Sequence, residues 1–535
     1  MNYFLTYCFY VVILSILMGI STWKLFKKMG YNPVFAFIPF YNYIIVLKET
    51  EHPKWWAALS YLPIVGPIMM SVFHLFLMKK FGKTSFVQKV LTVALPFIYM
   101  AVVNYSKDTE IYKEFLLNSE LDGEEKKKDG FWGSVVYAVV FATVIHTFIT
   151  QPFGVPTGSM ERTILVGDFL FVNKLNYGYR FPMRPVAIPF LQGTIGGSAN
   201  PKKATKSYVD GVKLPYFRLP GWEKIERNDI VVFNYPGDSA HVAIDRKDPY
   251  VKRVVGIPGD VIEMRDGRLF VNNQPEKRMG DAEVQHSYLV YTTTGLDINR
   301  LWKVYGYLPL QEQEMPTGGY VYQFQGLTDK TAAEIKQLPE VTKMEEVISP
   351  KGEASINYFN EQKTKIDTAQ SIFPINKPWN PDQYGPLKIP RKGDIVSINK
   401  DNLPEYQWII HKYEGHKLEN KNGKIFIDDK ETNQYKIEQD YFFMMGDNRD
   451  ASLDARFFGF VPEQYIVGKP MFTWLSVQGV FDEGPKKIRW DRMFKASNTG
   501  DMNKTSYWWI AVLILVLFFG WDYFAKMLKK KKEDE

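Results

Sequence analysis

Residues 250–260 read Tyr250-Val251-Lys252-Arg253-Val254-Val255-Gly256-Ile257-Pro258-Gly259-Asp260, an apolar run that is closed by a Pro-Gly turn. Short runs rich in Val, Ile and Phe recur on both sides of it and alternate with turns rich in Gly, Pro, Asn and Asp, which is typical of an all-β structure. These runs are Ile230 to Phe233, Leu269 to Val271, Ile395 to Ile398 and Ile425 to Ile427. We predict a mostly β domain over residues 151 to 504, with hairpin turns at Asp266-Gly267 and Asn422-Gly423.

Long apolar runs flank this domain. Four of them are long enough for a bilayer span of about twenty residues: Tyr3 to Trp23, Trp55 to Met78, Phe131 to Thr150 and Tyr507 to Phe524. Two weaker candidates are Val90 to Tyr105 and Pro33 to Leu47, and the second contains two prolines. We therefore expect several transmembrane α-helices at the N-terminus and one at the C-terminus.

Clusters of lysine predict the orientation in the membrane. Lys126 to Lys128 precede the Phe131 run and Lys529 to Lys532 follow the last run, so both clusters should be cytoplasmic. The β domain between them then lies on the opposite face. Lys24, Lys27 and Lys28 also place the end of the first run inside, which requires an even number of crossings between the first run and the charged segment before Phe131.

Charge and cysteine content exclude several classes of function. The net charge is only +7, and the lysine clusters flank apolar runs, so the sequence shows no basic stripe of the kind that binds nucleic acid. Cys8 is the only cysteine, so neither an internal disulfide nor a cysteine-based metal site is possible. We expect no metal, no cofactor and no nucleic acid.

A serine and a lysine suggest the chemistry. The segment Pro156-Thr157-Gly158-Ser159-Met160 places Ser159 nine residues beyond the end of the Phe131 run. A serine hydroxyl needs a base to become a nucleophile, and a lysine can act as this base when burial lowers its pKa. Lys252 lies in the apolar run quoted above, and strand alternation would turn Arg253 to the opposite face.

A third segment, residues 446–459, is dense in Gly, Asn, Asp and Arg. Its charges alone could form a solvated surface, where ion pairs are worth little. In the same way, a Gly-Ser-Met triplet is common and a Lys-Arg pair is usually a solvated strand edge. The density of short polar residues instead favours a hydrogen-bonded turn, which could supply Ser452 as a partner for the Lys252 amine.

Together these three segments resemble the bacterial type I signal peptidases, the membrane-bound Ser/Lys proteases that remove signal peptides from exported proteins. The resemblance covers residues 131 to 275 and 386 to 480, and includes Gly167-Asp168 and the run Arg227 to Phe233. It implies a mostly β catalytic domain and peptide hydrolysis through an acyl-enzyme. Taken with the apolar runs and lysine clusters, it predicts a multi-pass protein of the bacterial inner (plasma) membrane with its catalytic domain on the periplasmic face, although the resemblance does not explain the polytopic N-terminus, the last span or the insertion. The partners would be preprotein signal peptides and membrane lipid, with the translocation machinery as a further candidate.

The resemblance implies roles for individual residues. Ser159 would be the nucleophile and Lys252 the general base, while the Thr157 hydroxyl and the Ser159 amide would form the oxyanion hole. Ser452 would help to position Lys252. Supporting ion pairs would come from Asp447, Asp454, Arg253 and Arg456. Small apolar pockets, which accept little more than alanine at two positions before the cut, would be lined by Val155, Pro156, Met160, Ile164, Tyr250 and Val251.

The predicted domains are a polytopic N-terminal membrane region (1–105), a charged cytoplasmic linker (106–130), a transmembrane anchor (131–150), a catalytic β domain in two parts (151–279 and 386–504), an accessory β insertion between these parts (280–385), a C-terminal transmembrane helix (505–525) and a basic cytoplasmic tail (526–535).

Three positions depart from the family pattern. Arg162 stands where the family usually has proline, Asn228 where it usually has glycine, and Ala455 where serine often occurs. None of these removes a reacting group.

Two other classes share part of this pattern. A self-cleaving Ser/Lys regulator would use the same residue pair but would carry a DNA-binding helix-turn-helix, whereas the N-terminal third of this chain consists of apolar runs. A membrane scaffold or transporter with a degenerate protease domain would need no catalysis, and the intact set of Ser159, Lys252 and Ser452 argues against it.

Overall fold

The computed structural model describes residues 2–112, 131–195, 205–238, 243–277, 284–352, 372–421, 423–481 and 485–497. The predicted C-terminal helix (505–525), the basic tail (526–535), most of the linker, and Asn422 lie outside these residues. The chain divides into two compact units. The first comprises Met1–Thr150, Tyr179–Leu219 and Ser239–Asp248, and the second comprises Gln151–Gly178, Pro220–Asp238 and Pro249–Glu535.

The first unit is mainly helical. Its helices are α1 (Tyr3–Lys28), α2 (Tyr41–Glu49), α3 (Val65–Lys80), α4 (Phe86–Ala94), α5 (Pro96–Tyr105) and α6 (Phe131–Phe148). Among the described residues, α1 is the one helix that is long and apolar enough to cross a membrane. Helices α4 and α5 would add a second span if this pair, bent by 119°, is counted as one.

Three of the predicted apolar spans are interrupted. The run Trp55 to Met78 forms a short 3-10 turn and then α3, because Pro63 precedes Ile64 and the backbone of Ile64 has a φ of 67°. The run Val90 to Tyr105 breaks where α5 begins, at a proline that lacks the N–H needed to continue α4. Pro33 to Leu47 forms a 3-10 turn followed by α2. None of the three is the continuous helix that the apolar composition suggests.

The segment Tyr179–Leu219 packs within the first unit, although sequence analysis assigned it to the catalytic domain. It carries the short strands β3 (Thr194–Ile195) and β4 (Thr205–Lys206). The ring of Tyr3 at the start of α1 lies 5.6 Å from that of Phe217. The amide of Ile64, just before α3, donates to the Pro185 carbonyl at 2.7 Å. The starts of α1 and α3 therefore both contact this segment.

The second unit is built on an antiparallel sheet. Its strand order is β1 (Thr150–Gly154), β2 (Asp168–Asn173), β22 (Ile466–Gln478), β5 (Ile230–Asn234), β6 (Pro249–Gly256), β20 (Tyr441–Met445) and β21 (Val461–Pro462), with β23 (Lys487–Ile488) and β24 (Lys495–Ala496) also paired to β22. The sheet runs through two of the predicted strands, at Ile230 to Phe233 and Tyr250 to Gly256. The prediction of a mostly β catalytic domain is confirmed.

Smaller sheets complete the second unit. They are β14 (Tyr384–Lys388) with β7 (Val261–Arg265), β8 (Arg268–Val271) and β9 (Gln274–Pro275), then β15 (Ile395–Ser397) with β19 (Gln434–Lys436), and β16 (Leu418–Lys421) with β17 (Lys424–Ile427) and β18 (Lys430–Glu431). The predicted turn Asp266-Gly267 joins β7 to β8. Both of its residues have positive φ, 49° and 72°, as the tightest hairpin turns require.

The insertion has a fold and a core of its own. Its sheet has the order β11 (Gln311–Glu314), β12 (Tyr320–Thr328), β10 (Gln285–Thr292) and β13 (Val341–Glu346), and it also contains α7 (Ile298–Tyr305) and α8 (Asp329–Lys336). Val290, Leu301, Tyr322, Phe324 and Ile335 form its buried centre. After the insertion, the second unit adds two short helices, α9 (Leu403–Gln407) and α10 (Ala455–Phe458).

Candidate active site

Ser159 and Lys252 meet in the second unit. Ser159 lies in the 3-10 turn Gly158–Met160, directly after an extended Thr157. Lys252 lies in β6, opposite Val231 of β5. Lys252 Nζ is 2.7 Å from Ser159 Oγ, although 93 residues separate the two in the chain. The sheet therefore brings the predicted nucleophile and the predicted base within hydrogen-bond distance.

Burial sets the charge state of the Lys252 amine. Lys252 is 3% exposed and Ser159 is 6% exposed. Burial removes water from the ammonium group and lowers the pKa of Lys252 from its ordinary 10.5 to about 8, while Asp454 and Asp447 oppose this effect. The amine also donates to the Val251 carbonyl at 3.2 Å. Because of this lowered pKa, Lys252 is neutral in part of the molecules near neutral pH, and only the neutral amine can accept a proton.

Arg253 forms a buried ion pair with Asp447. Its Nε and Nη2 atoms donate to the two carboxylate oxygens of Asp447 at 2.7 and 2.6 Å, and its Nη1 donates to the Asn228 carbonyl at 2.9 Å. Burial acts to raise the pKa of Asp447, but the Arg253 guanidinium outweighs it and holds that pKa below its ordinary value. Paired donors of this kind give the strongest charge-assisted hydrogen bonds.

Asp454 and Arg456 form a second pair of the same kind. Arg456 Nε and Nη2 each lie 2.9 Å from a carboxylate oxygen of Asp454. Burial acts to raise the pKa of Asp454, and the Arg456 guanidinium lowers it below the ordinary value. Ser452 is buried in the same loop, but in the part of the chain that the structure describes it is not a hydrogen-bond partner of the Lys252 amine. Among the described residues, no hydrogen bond to the Lys252 amine supports the predicted positioning role of Ser452.

The third segment also holds the backbone of the nucleophile turn, which sequence analysis did not foresee. The Asn448 amide donates to the Ser159 carbonyl at 3.2 Å, and Asn448 Nδ2 donates to the Gly158 carbonyl at 3.4 Å. Gly446 lies so close that an added Cβ would collide with the Ser159 carbonyl oxygen. On the other side of the turn, Thr163 Oγ1 donates to Asp447 at 2.6 Å.

Most of the residues predicted to line apolar pockets are found together. Val155, Met160 and Ile164 belong to one buried apolar cluster, and Val251 packs against it. Pro156 and Thr157 are exposed beside them. Tyr250 stacks on Tyr235, with ring centroids 4.4 Å apart and an angle of 3° between the rings. Tyr235, which sequence analysis missed, follows β5 directly and thus lies beside the β6 residue that it contacts.

No cluster of His, Cys, Asp and Glu within the described ranges could hold a metal ion. The groups at the site that can carry out chemistry are the serine hydroxyl, the lysine amine, the open Thr157 hydroxyl and the backbone amides of the turn. This set suits acyl transfer through a serine nucleophile.

Comparison with known proteins gives relatives over most of the chain. Signal peptidase I of Buchnera aphidicola subsp. Acyrthosiphon pisum (strain APS) is 24% identical over 398 residues, which is 73% of this chain and 90% of the relative. Signal peptidase I of Haemophilus influenzae is 25% identical over 381 residues, 68% of this chain and 73% of the relative. Signal peptidase I of Rickettsia massiliae (strain Mtu5) is 33% identical over 147 residues, 28% of this chain and 44% of the relative.

Two family profiles match the chain. Residues 34–114 match a family of unknown function, DUF5684, and this match covers most of the N-terminal region that lies outside the sequence resemblance. Residues 130–348 and 384–475 match the family described as "Signal peptidase, peptidase S26". This second match covers more than half of the chain and includes the segments that carry Ser159, Lys252 and Asp447, so the chain belongs to the signal peptidase family S26.

Proposed function

We propose that Ser159 attacks the scissile peptide bond and that Lys252 removes its proton. The protein is a serine endopeptidase of the signal peptidase family, and the reaction is removal of signal peptides from preproteins. The observation that carries the assignment is the 2.7 Å contact between Lys252 Nζ and Ser159 Oγ. A buried amine with a pKa of about 8 at this distance can take the hydroxyl proton.

The reaction follows from this geometry. The neutral amine of Lys252 accepts the proton as Ser159 Oγ bonds to the scissile carbonyl carbon, and the tetrahedral intermediate collapses when the ammonium returns the proton to the leaving amine. The Ser159 ester that remains is hydrolysed in the same way: the amine takes a proton from water, the hydroxide adds to the ester carbonyl carbon, and the ammonium returns the proton to Ser159 Oγ as the ester C–O bond breaks. We assign the Thr157 hydroxyl and the Ser159 amide to the developing oxyanion, because Thr157 is exposed beside the nucleophile and its hydroxyl makes no capping bond to the following turn.

We propose that the substrate residues before the cut lie against the partly exposed Val251, and that the buried side chains of Val155, Met160 and Ile164 support this surface from behind. These side chains pack against one another in the apolar cluster. A close-packed wall of this kind leaves room for alanine but not for large side chains. The preference for small residues before the cut would thus come from the core of the sheet itself.

We propose a multi-pass arrangement in the bacterial inner membrane, with the catalytic domain on its periplasmic face. Tyr3 contacts Phe217, and the Ile64 amide contacts the Pro185 carbonyl, so the starts of α1 and α3 share one side with the segment Tyr179–Leu219. Both helices end in pairs of lysine, which favour the cytoplasm. Membrane lipid and the translocation machinery are the proposed partners, and 505–525 is the proposed C-terminal span.

Cysteine labelling tests this arrangement. In a Cys8→Ser background, Asn2→Cys places the new thiol before α1, and Lys79→Cys places it at the lysine-rich end of α3. A membrane-impermeant maleimide added to intact cells should label the first and not the second. Labelling of Lys79→Cys alone would invert the proposed orientation, and labelling of neither or both would remove it.

Preprotein cleavage tests the catalytic assignment. Ser159→Ala and Lys252→Ala should each abolish cleavage of a test preprotein by the purified full-length protein. Exposed residues of the same types give matched controls, Ser397→Ala and Lys400→Ala, and both should cleave at the wild-type rate with the same product ends by mass spectrometry. Normal cleavage by either site variant would refute the assignment. The non-enzymatic scaffold, the alternative function, requires that the unmodified protein also fail to cleave.

A further inference from the structure

Arg162 has an unusual backbone and an unusual partner. It follows Ser159 by three residues and has a φ of 70°, which non-glycine residues rarely adopt. Its guanidinium carbon lies 4.0 Å from the ring centre of Tyr307 in the insertion. Its Nε donates to the Tyr307 hydroxyl at 2.9 Å and its Nη2 donates to the Tyr305 carbonyl at 2.6 Å. The arginine thus combines a cation–π contact with two hydrogen bonds.

The receiving side of this contact is packed into the core of the insertion. Tyr307 belongs to the buried core of the insertion, together with Leu301 and Phe324. Gly306, between the two contact residues, ends α7 in the left-handed conformation with a φ of 71°, and the Arg162 guanidinium lies directly beside its Cα. An added Cβ at position 306 would meet the guanidinium at 3.5 Å, which is an ordinary van der Waals contact, so glycine is favoured there by the left-handed backbone and not by lack of space.

The neighbouring residue of the turn is held by the insertion as well. Gln285 Nε2, at the start of β10, donates to the Glu161 carbonyl at 2.5 Å. The Gln285 amide donates to the Asp447 carbonyl at 3.0 Å, and the Ser287 amide donates to Asp450 at 2.5 Å. The insertion therefore contacts both the turn that carries Ser159 and the loop that packs on that turn.

The departure of Arg162 from the family pattern fits these contacts. Proline is restricted to a φ near −65°, so it could not adopt the backbone that this chain has at position 162. A strained conformation persists only when its surroundings over-determine it, and here the surroundings are Tyr305 and Tyr307. The arginine, its positive φ and the insertion contact therefore form one structural unit.

We propose that the insertion, residues 284–352, is a clamp that fixes the nucleophile turn, with Arg162 and Tyr307 as its positioning residues. The inference rests on the proposed roles of Ser159 and Lys252. Neither positioning residue touches the reacting atoms. They act by holding the backbone of the turn, so that Ser159 Oγ keeps its short distance to Lys252 Nζ as the substrate is attacked.

Active-site titration separates this role from a purely structural one. Full-length Arg162→Ala, Tyr307→Phe and Arg300→Ala are compared on a test preprotein. Arg300 is an exposed arginine of α7 and serves as the matched control. A serine-acylating probe, left to react to its end point, counts the folded sites in each preparation even where acylation is slow, and kcat is expressed per site counted. Ser159→Ala is included to test the proposed function separately.

We expect Arg162→Ala to lower kcat per reactive site by roughly 10- to 100-fold, because small misplacements of a reacting group have effects of this size. KM and the pH midpoint of the activity should stay unchanged, since Arg162 touches neither the amine nor the apolar cluster. Tyr307→Phe, which keeps the ring, should show a smaller loss, and Arg300→Ala none.

Two outcomes overturn the clamp. One is a kcat per reactive site for Arg162→Ala equal to that of Arg300→Ala. The other is that Arg162→Ala loses only reactive sites while Tyr307→Phe is indistinguishable from wild type, because the contact would then serve folding alone. In both cases an inactive Ser159→Ala leaves the proposed function standing, whereas an active Ser159→Ala refutes the proposed function itself.

Discussion

Replacement of Lys252 by methionine should abolish activity and at the same time stabilise the protein. Methionine keeps a similar length in the 3%-exposed site but removes the charge. The lysine pKa falls from 10.5 in its ordinary state to about 8 in the folded protein, and this gap corresponds to about 3 kcal/mol of free energy. This free energy is the cost of burying the ammonium form of Lys252 in the folded protein. The Lys252→Met variant buries no charge there and avoids this cost.

The sign of the pH dependence follows from proton binding. Below pH 8 both the folded and the unfolded Lys252 are protonated, so the folded state bears the full cost. Between pH 8 and 10.5 the unfolded chain binds more protons than the folded protein, so the wild-type free energy of unfolding rises with pH. The advantage of Lys252→Met should therefore be about 3 kcal/mol at pH 7 and should shrink towards pH 10.5.

The assay is thermal unfolding of the full-length protein in detergent from pH 6 to 10, run in parallel with cleavage of a test preprotein. Wild-type kcat/KM should rise through an apparent pKa of about 8 and then level off. Lys400→Met, at an exposed position, is the control and should show neither change. If Lys252→Met is no more stable than wild type at pH 7, or if its advantage does not change with pH, the amine is not held in the desolvated state that the mechanism needs.

Three further substitutions test the surrounding groups. Thr157→Val should lower kcat by about 10²- to 10³-fold with little change in KM, because it removes one oxyanion donor. The control Thr157→Ser keeps the hydroxyl and should retain most activity. Equal kcat values for the two variants would exclude the hydroxyl from the oxyanion hole. Asp447→Asn leaves the Arg253 guanidinium buried without its counter-charge. It should lower the free energy of unfolding, measured by denaturant titration, by about 3–5 kcal/mol. A loss below about 1 kcal/mol would show that water reaches the ion pair. Gly446→Ala should slow acylation of Ser159 by roughly 100-fold, because its Cβ would displace the Ser159 carbonyl, and an unchanged rate would show that the turn can yield.

The sequence predicted those parts of the structure that depend on residues close together in the chain. The strands at Ile230 to Phe233 and Tyr250 to Gly256 were predicted from apolar residues bounded by turn residues, and β5 and β6 form there. The turn Asp266-Gly267 was readable because positive φ is costly for most residues. The pairing of Ser159 with Lys252 was suggested by the need of a serine nucleophile for a base and by the apolar surroundings of the lysine, and the family resemblance supported it, because no local pattern joins residues 93 positions apart.

The features that sequence could not predict depend on distant contacts. Two of the breaks in the N-terminal apolar runs occur at Ile64 and Phe40, where the backbone has positive φ. Each residue follows a proline, which signals an interruption but does not predict this backbone conformation. The contact of Arg162 with Tyr307 spans 145 residues, and the sequence showed only that Arg162 departs from the family pattern. Such a departure is a signal that a long-range partner exists, but it does not identify the partner.

The arrangement of charge around Lys252 explains how the amine can become neutral beside two carboxylates. Asp454 and Asp447 both raise the pKa of Lys252, and either one unpaired would favour the ammonium form. Each carboxylate instead accepts two hydrogen bonds from its own arginine, Arg456 or Arg253. The guanidinium charge opposes the field of each carboxylate at the amine, and burial is the largest effect on the pKa of Lys252. We therefore expect a substitution of either arginine to raise the pKa of Lys252 and to move the pH profile of activity towards higher pH.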